Sequence, residues 1–459
     1  MIPWHSELFR AVIVAAAYLA IFAIAELWYS KGKTRPENTR KLVHFAGGLV
    51  ALSFGYLFTS HWIVLFLCIL FAFIIGITKK LNLLKSVHSV DRESKGGIYY
   101  PLAIYLTFLF SILLDKPDFY IIAILVLSIS DTLAALIGHS YGIKLYHVEE
   151  AKKSFEGTVI FFLSTFIIVL IGILLTTDVG RVESILASLY IAILVTSFEA
   201  ISLGGADNLF IPVGTIFILA KITTKPPEEI LFQIGMIFVI YLTVYLIASS
   251  QKKLGNSGIL GIALLAYAAF SLTGIDWLIP VLTGCIIVTH FDLILETPEK
   301  RDELYRIRPV FYLLAVPLVW ILAGNAFWQY KYVFIIPYVI SFAAHFSIMW
   351  ERKYRILKTN SLNIPEILQK APVLPRSIML TLLLLGPFFI FNSQIDPFIS
   401  IFSCITGIII ADRLYWLAYS KFCPDIEKLR LWQTRMAIVF TVTLAITILN
   451  FYLYKTFIP

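Results

Sequence analysis

Long apolar runs alternate with short polar stretches along the whole chain. A helix that crosses a bilayer needs about 20 largely apolar residues, fewer where basic side chains at its ends reach for the headgroups. On that measure the pattern predicts helices over about 8–30, 44–58, 61–77, 98–114, 119–138, 157–176, 184–200, 208–221, 229–249, 258–273, 277–294, 309–323, 332–350, 376–391, 396–416 and 432–455. The runs 44–58 and 208–221 are short and read as half-helices or re-entrant pieces. The expected fold is therefore all-α, a polytopic membrane bundle of about 14–16 transmembrane segments.

Composition supports the same picture. Of the 459 residues, 59% are hydrophobic and only 14% charged, where a soluble domain carries about 25% charged residues. Mean hydropathy is +0.85. The first run, Ala11 to Trp28, follows Arg10 as a signal peptide would. No small-residue cleavage pattern follows it, and the basic loop comes after it, so it reads as a transmembrane helix.

The loops carry an orientation signal. One alternate set comprises 31–43, 78–97, 139–156, 201–207, 250–257, 295–308, 351–375 and 417–431. It holds about 27 of the 37 Lys and Arg, against about seven in the other set with both termini. The positive-inside rule places the first set in the cytoplasm and both termini on the opposite side. The net charge of +8 then needs no nucleic-acid partner, because an anionic inner leaflet attracts such loops. Cys68, Cys285, Cys404 and Cys423 show no metal-ligand spacing and three sit in apolar runs, so they read as structural thiols.

In so apolar a chain, charge at the membrane boundary is informative, because each ionisable group there costs about 2.5–3.5 kcal/mol on insertion scales. Four clusters stand out, all on the predicted cytoplasmic side. Arg40, Lys41 and His44, followed by Gly47-Gly48, form one cationic face of a helix start, suited to phosphate or to plain anchoring. Asp131 lies in an apolar segment among small residues, a place for Mg²⁺ or for an ion pair with a neighbouring helix. Lys152-Lys153-Ser154-Phe155-Glu156-Gly157 precedes an apolar run. Glu156 falls in the first helical turn, where the helix dipole favours an anion. Glu199, then Gly204-Gly205-Ala206-Asp207-Asn208 and Pro212, read as a tight loop with metal or ribose ligands, or as a glycine turn with an Asp cap. Two cationic and two carboxylate groups on one face are the inventory for phosphoryl transfer from a nucleotide. Neither a Walker A sequence nor the protein-kinase motif set is present.

Arg40-Lys41-x-x-His44, Gly97-x-Tyr99-Tyr100-Pro101, Asp131-x-x-Ala134-x-x-x-Gly138, Lys153-Ser154-x-Glu156-Gly157 and Asp207-Asn208-x-x-x-Pro212 occur in this order. Together they resemble the motifs of the polyprenol kinase family, which includes phytol, farnesol and dolichol kinases and the CTP-dependent diacylglycerol kinase. Ser130 stands where that family commonly has Gly before the Asp. The resemblance covers about residues 36–220. It implies CTP as phosphoryl donor, Mg²⁺ or another divalent cation, and a membrane-dissolved alcohol as acceptor. It also implies catalytic roles for Asp131, His44 and Asp207, and nucleotide or phosphate contacts from Arg40, Lys41, Gly138, Lys153, Ser154, Glu156 and Gly157. Asp131, Asp207 and Asn208 are the implied metal ligands.

Residues 1–225 are thus expected to form a CTP-dependent lipid-alcohol kinase domain, and 226–459 a further transmembrane domain of unassigned role. Phytol or a similar short prenol is the first expected acceptor, with dolichol-like polyprenol and diacylglycerol following. A cytidylyltransferase acting on a lipid phosphate is the rival from another enzyme class, and Asp412-Arg413 resembles part of such a signature. A transporter is the non-enzyme rival. It would place ionisable groups near the midplane of two similar halves, whereas the charges gather at one face and the halves look unlike.

Overall fold

The computed structural model describes residues 6–32, 36–88, 96–148, 151–249, 254–290, 307–359, 372–391, 396–422 and 428–457. Cys423 and the loops 31–43, 78–97, 139–156, 250–257, 295–308, 351–375 and 417–431 lie wholly or partly outside these residues. The chain divides into two compact units, Met1–Ile234 and Gly235–Pro459. Among the described residues, thirteen helices are long and apolar enough to cross a membrane, and Ile275–His290 is a shorter apolar one. The protein is a polytopic, all-α membrane protein.

The first unit contains α1 (Glu7–Gly32), α2 (Pro36–Leu52), α3 (His61–Lys80), α4 (Gly96–Leu113) and α5 (Pro117–Tyr141). After them come α6 (Phe155–Thr176), α7 (Arg181–Ile201) and α8 (Asp207–Ile222). Helix α9 (Pro227–Ser249) carries the boundary between the units. α3 shows how these sequences fold. Val64, Leu67, Cys68 and Phe71 face inward at helical spacing, while Trp62, Phe66, Ile69 and Phe73 are exposed. Apolar residues all round mark a helix whose outer face meets lipid.

Two elements differ from the hydropathy reading. Helix α2 starts at Pro36, not at His44. Proline is preorganised for the first helical position, and Glu37 in the first turn suits the dipole. Hydropathy follows the apolar part of a helix and misses its polar first turns. The stretch 139–156 contains a short antiparallel strand pair, β1 (Leu145–Val148) and β2 (Ala151–Ser154), with Tyr146 opposite Lys153. Four-residue strands carry too few positions for a period-2 pattern to stand out.

Helix α5 is interrupted at Val126–Ser130 by a turn of π-helix, directly before Asp131. Such wider turns occur often at functional sites. Helix α2 runs against this turn. Gly48 makes the approach possible, because a Cβ there would overlap the Ser128 side chain.

The second unit holds α10 (Asn256–Thr273), α11 (Ile275–His290), α12 (Ile307–Ala326), α13 (Lys331–Thr359), α14 (Val373–Phe391), α15 (Pro397–Phe422) and α16 (Lys428–Phe457). Helix α13 is its centre, packed by α11, α12, α14, α15 and α16. A buried polar network crosses this bundle. Arg376 donates to Ser347 Oγ at 3.0 Å, Glu351 Oε2 at 3.0 Å and Asp412 Oδ1 at 3.2 Å. Cys68, Cys285 and Cys404 are free, buried thiols.

Candidate active site

Helix α2 brings Lys41 and His44 onto the face that meets α5. Lys41 Nζ lies 2.6 Å from Asp131 Oδ2, and His44 Nε2 lies 3.3 Å from the same oxygen. Lys41 and Asp131 are each only 7% exposed. A buried carboxylate stays charged when a cation and hydrogen bonds replace its water. His44 Nε2 also faces the Leu127 carbonyl at 3.2 Å. With acceptors on both sides, that nitrogen carries a hydrogen and donates. His44 therefore steadies the Asp131 carboxylate here. This ion pair is also the partner that a purely structural reading of Asp131 calls for.

Three tyrosines fix α2 from outside it. Tyr18 donates to the Gly47 carbonyl at 2.8 Å, Tyr100 to His44 at 2.9 Å and Tyr120 to Ala51 at 2.8 Å. They come from α1, α4 and α5 and bind one face of α2. Sequence reasoning gave Tyr100 only a place in a motif and missed Tyr18 and Tyr120. In a chain rich in tyrosine, nothing but the packing distinguishes these hydroxyls.

A second ion pair joins β2 to the end of α7. Lys153 Nζ donates to Glu199 Oε1 at 2.7 Å, to Ser202 Oγ at 3.2 Å and to the Glu199 carbonyl. Ser154 caps α6: its Oγ accepts from Gly157 N at 3.1 Å and donates to the Gly138 carbonyl at 3.2 Å. Gly138 and Gly157 face each other, and a Cβ on either would lie 3.2 Å from the other's Cα. The glycine spacing seen in the sequence is thus a close contact between α5 and α6. Glu156 accepts from the Lys144 backbone N–H at 3.1 Å, tying the start of α6 to the strand pair.

Arg40 and Asp207 interact electrostatically with members of these pairs. Arg40 makes a two-pronged bond to Glu37, at 3.0 and 2.5 Å. Burial opposes its charge, but Glu37, Asp131 and Asp207 outweigh that and push its pKa up. Lys153 is raised in the same way: burial opposes, while Glu199 and Asp207 prevail. The charge of Asp207 thus acts on both Arg40 and Lys153. The preceding Gly204 and Gly205 have φ of 55° and 90°, a region that favours glycine. Asn208 donates to the Gly96 carbonyl at 3.3 Å.

Among the described residues, no group of three or more His, Cys, Asp or Glu forms a metal site by itself. The donors nevertheless fit a metal that arrives with phosphates, since Mg²⁺ takes one or two carboxylates and fills its shell with phosphate oxygens and water. Asp207 and Asn208, consecutive at the start of α8, carry hard oxygens, although Asp207 Oδ1 also accepts from the Asn208 N–H at 3.0 Å. Asp131 Oδ2 is already engaged by Lys41 and His44.

An apolar cavity of about 200 Å³ opens beside this constellation. Arg40, His44, Lys79 and Asn208 are among its polar walls, and Tyr18, Phe54, Cys68, Phe71 and Ile104 among its apolar ones.

No protein-family model matches the chain, and no solved structure does. The chain is 34% identical over 217 residues to a phytol kinase of Synechocystis sp., an alignment that spans 47% of this chain and 93% of the relative. A third of identical positions across nearly the whole of that relative, with five motifs in order, place this chain in the polyprenol kinase family.

Proposed function

We propose that this protein is a membrane kinase that transfers the γ-phosphoryl group of CTP to a long-chain isoprenoid alcohol. The observation that carries this reading is that His44, paired with Asp131 at 3.3 Å, lines the apolar cavity together with Arg40. An alcohol whose tail fills the cavity holds its hydroxyl beside Arg40 and His44, one side chain away from Asp131. The Synechocystis relative is a phytol kinase, so phytol or a similar short prenol is the first acceptor to test.

The triphosphate lies over Arg40 and Lys153, where its oxygens compete with Glu37 and Glu199 for these cations. A divalent ion, held by Asp207, Asn208 and the phosphates, would neutralise charge on the transferring group. Asp131 orients the acceptor hydroxyl. The alcohol oxygen bonds to the γ-phosphorus as the bond from that phosphorus to the β–γ bridging oxygen breaks. CDP departs, and the hydroxyl proton passes to the Asp131 carboxylate and then to water.

The asymmetry of basic loops favours the cytoplasmic face for this site, where CTP is available. Residues 226–459 are a further membrane domain that need not contribute to the chemistry. The family name also admits diacylglycerol as acceptor, and a cytidylyltransferase would use similar cations.

The test uses purified protein in detergent with γ-labelled CTP, Mg²⁺ and phytol, farnesol, a polyprenol or diacylglycerol, beside an Asp131→Ala control. Label in a prenol, absent from the control, is the expected result. Folded protein that labels no lipid would overturn the kinase reading.

A further inference from the structure

The cavity in the first unit has a direction. On α3 it is lined by Lys79, Gly76, Ile75, Phe71 and Cys68. Eleven helical residues rise about 16 Å, and a bilayer's hydrocarbon core is about 30 Å thick. The cavity therefore runs alongside α3 for about the depth of one leaflet. Its polar walls gather at the end where α3 finishes and α2, α4 and α8 begin. The walls below are apolar.

One wall is open. Gly76 lines the cavity and is itself exposed. A Cβ at Gly76 would meet no atom within 4 Å. Across from it on α4, Gly97 and exposed Ile98 line the same cavity. Around this edge Phe73, Ile77 and Leu81 are exposed, as befits a surface that faces lipid. Glycine weakens a helix interior by about 1 kcal/mol relative to alanine, so its presence where nothing crowds it calls for another reason.

We infer that the cavity is a lateral channel for the lipid alcohol, entered from the bilayer between α3 and α4, with Gly76 keeping the portal open. This rests on the kinase reading for the fate of the hydroxyl, but the binding can be tested without turnover. The alcohol slides in tail-deep and stops with its hydroxyl at Arg40 and His44.

The experiment is photolabelling of the full-length protein in phosphatidylcholine vesicles with a diazirine-bearing phytol analogue, followed by peptide mapping. Label is expected on α3 and α4. Excess phytol should suppress it. Gly76→Leu, which fills the portal, should cut labelling about tenfold, and Gly76→Ala should leave it close to wild type. Neither variant should melt below the wild type, since a glycine is being replaced at an uncrowded helix position. Label elsewhere or undiminished label in Gly76→Leu would overturn the channel. The expected labelling without phosphoryl transfer from CTP would leave the channel standing and overturn the kinase reading.

Discussion

Lys41 and Asp131, ninety residues apart in sequence, meet at 2.6 Å in a buried ion pair that His44 completes. Removing one member of such a pair leaves an uncompensated buried charge and costs about 3–5 kcal/mol. Asp131→Ala should therefore destabilise the first unit by that amount. The double variant Lys41→Met with Asp131→Leu should recover most of the loss. Neither should transfer phosphate: turnover should fall by about 10²–10⁴. Thermal unfolding in detergent, with turnover measured on the folded fraction, separates the two effects. A stable double variant with wild-type turnover would make the pair purely structural.

Tyr100 acts through α2. Its hydroxyl holds the His44 carbonyl at 2.9 Å, and Tyr100→Phe removes that bond for about 1 kcal/mol. The shift should loosen His44 against Asp131, so kcat should fall while KM for CTP stays constant. A change in KM for CTP alone would remove Tyr100 from the positioning of the acceptor side.

Lys153 supplies a pH test. Its pKa is raised above the ordinary 10.5, with burial opposing and Glu199 and Asp207 prevailing. A raised folded-state value means a contribution fully present below the unfolded value and lost as pH climbs through the folded one. Stability should thus be insensitive to this pair from pH 6 to 9, windows well below about 10.4. Above that it should decline, and Lys153→Met should remove this part of the decline. The measurement is a series of melting curves on both proteins. An unchanged alkaline decline in Lys153→Met would contradict the assignment.

The second unit has its own prediction. Arg376 is 3% exposed and Asp412 2%, and Arg376 also binds Glu351 and Ser347. Arg376→Met should leave the buried Asp412 carboxylate without its cation, while Glu351 keeps Arg355 at 2.9 Å, and destabilise the protein by about 3–5 kcal/mol. Turnover per folded molecule should be unchanged, because the proposed chemistry lies in the first unit. A selective loss of turnover in protein with wild-type melting behaviour would bring the second unit into the reaction.

The sequence discloses residue types better than it discloses pairings. Asp131, Lys153 and Glu199 are visible as charges at membrane boundaries because insertion is costly there. That Lys41 meets Asp131 while Lys153 meets Glu199 depends on how α2, α5, β2 and α7 pack, which hydropathy does not encode. Arg40 and His44 share a helical face as their spacing predicts, yet Arg40 binds the nearby Glu37. The start of α2 at Pro36 and the strand pair at Leu145–Ser154 escaped the apolar-run criterion because both are polar. The cavity was also illegible, since its walls come from separate helices and its open side depends on what is missing at Gly76.

The most direct test of the central claim is ³¹P NMR of the purified protein with CTP, Mg²⁺ and phytol in detergent. The account predicts that CDP and a lipid phosphate monoester appear in equal amounts as CTP disappears, and that neither forms with Asp131→Ala. Pyrophosphate with a CMP-linked lipid, or CTP left intact by folded protein, would contradict it.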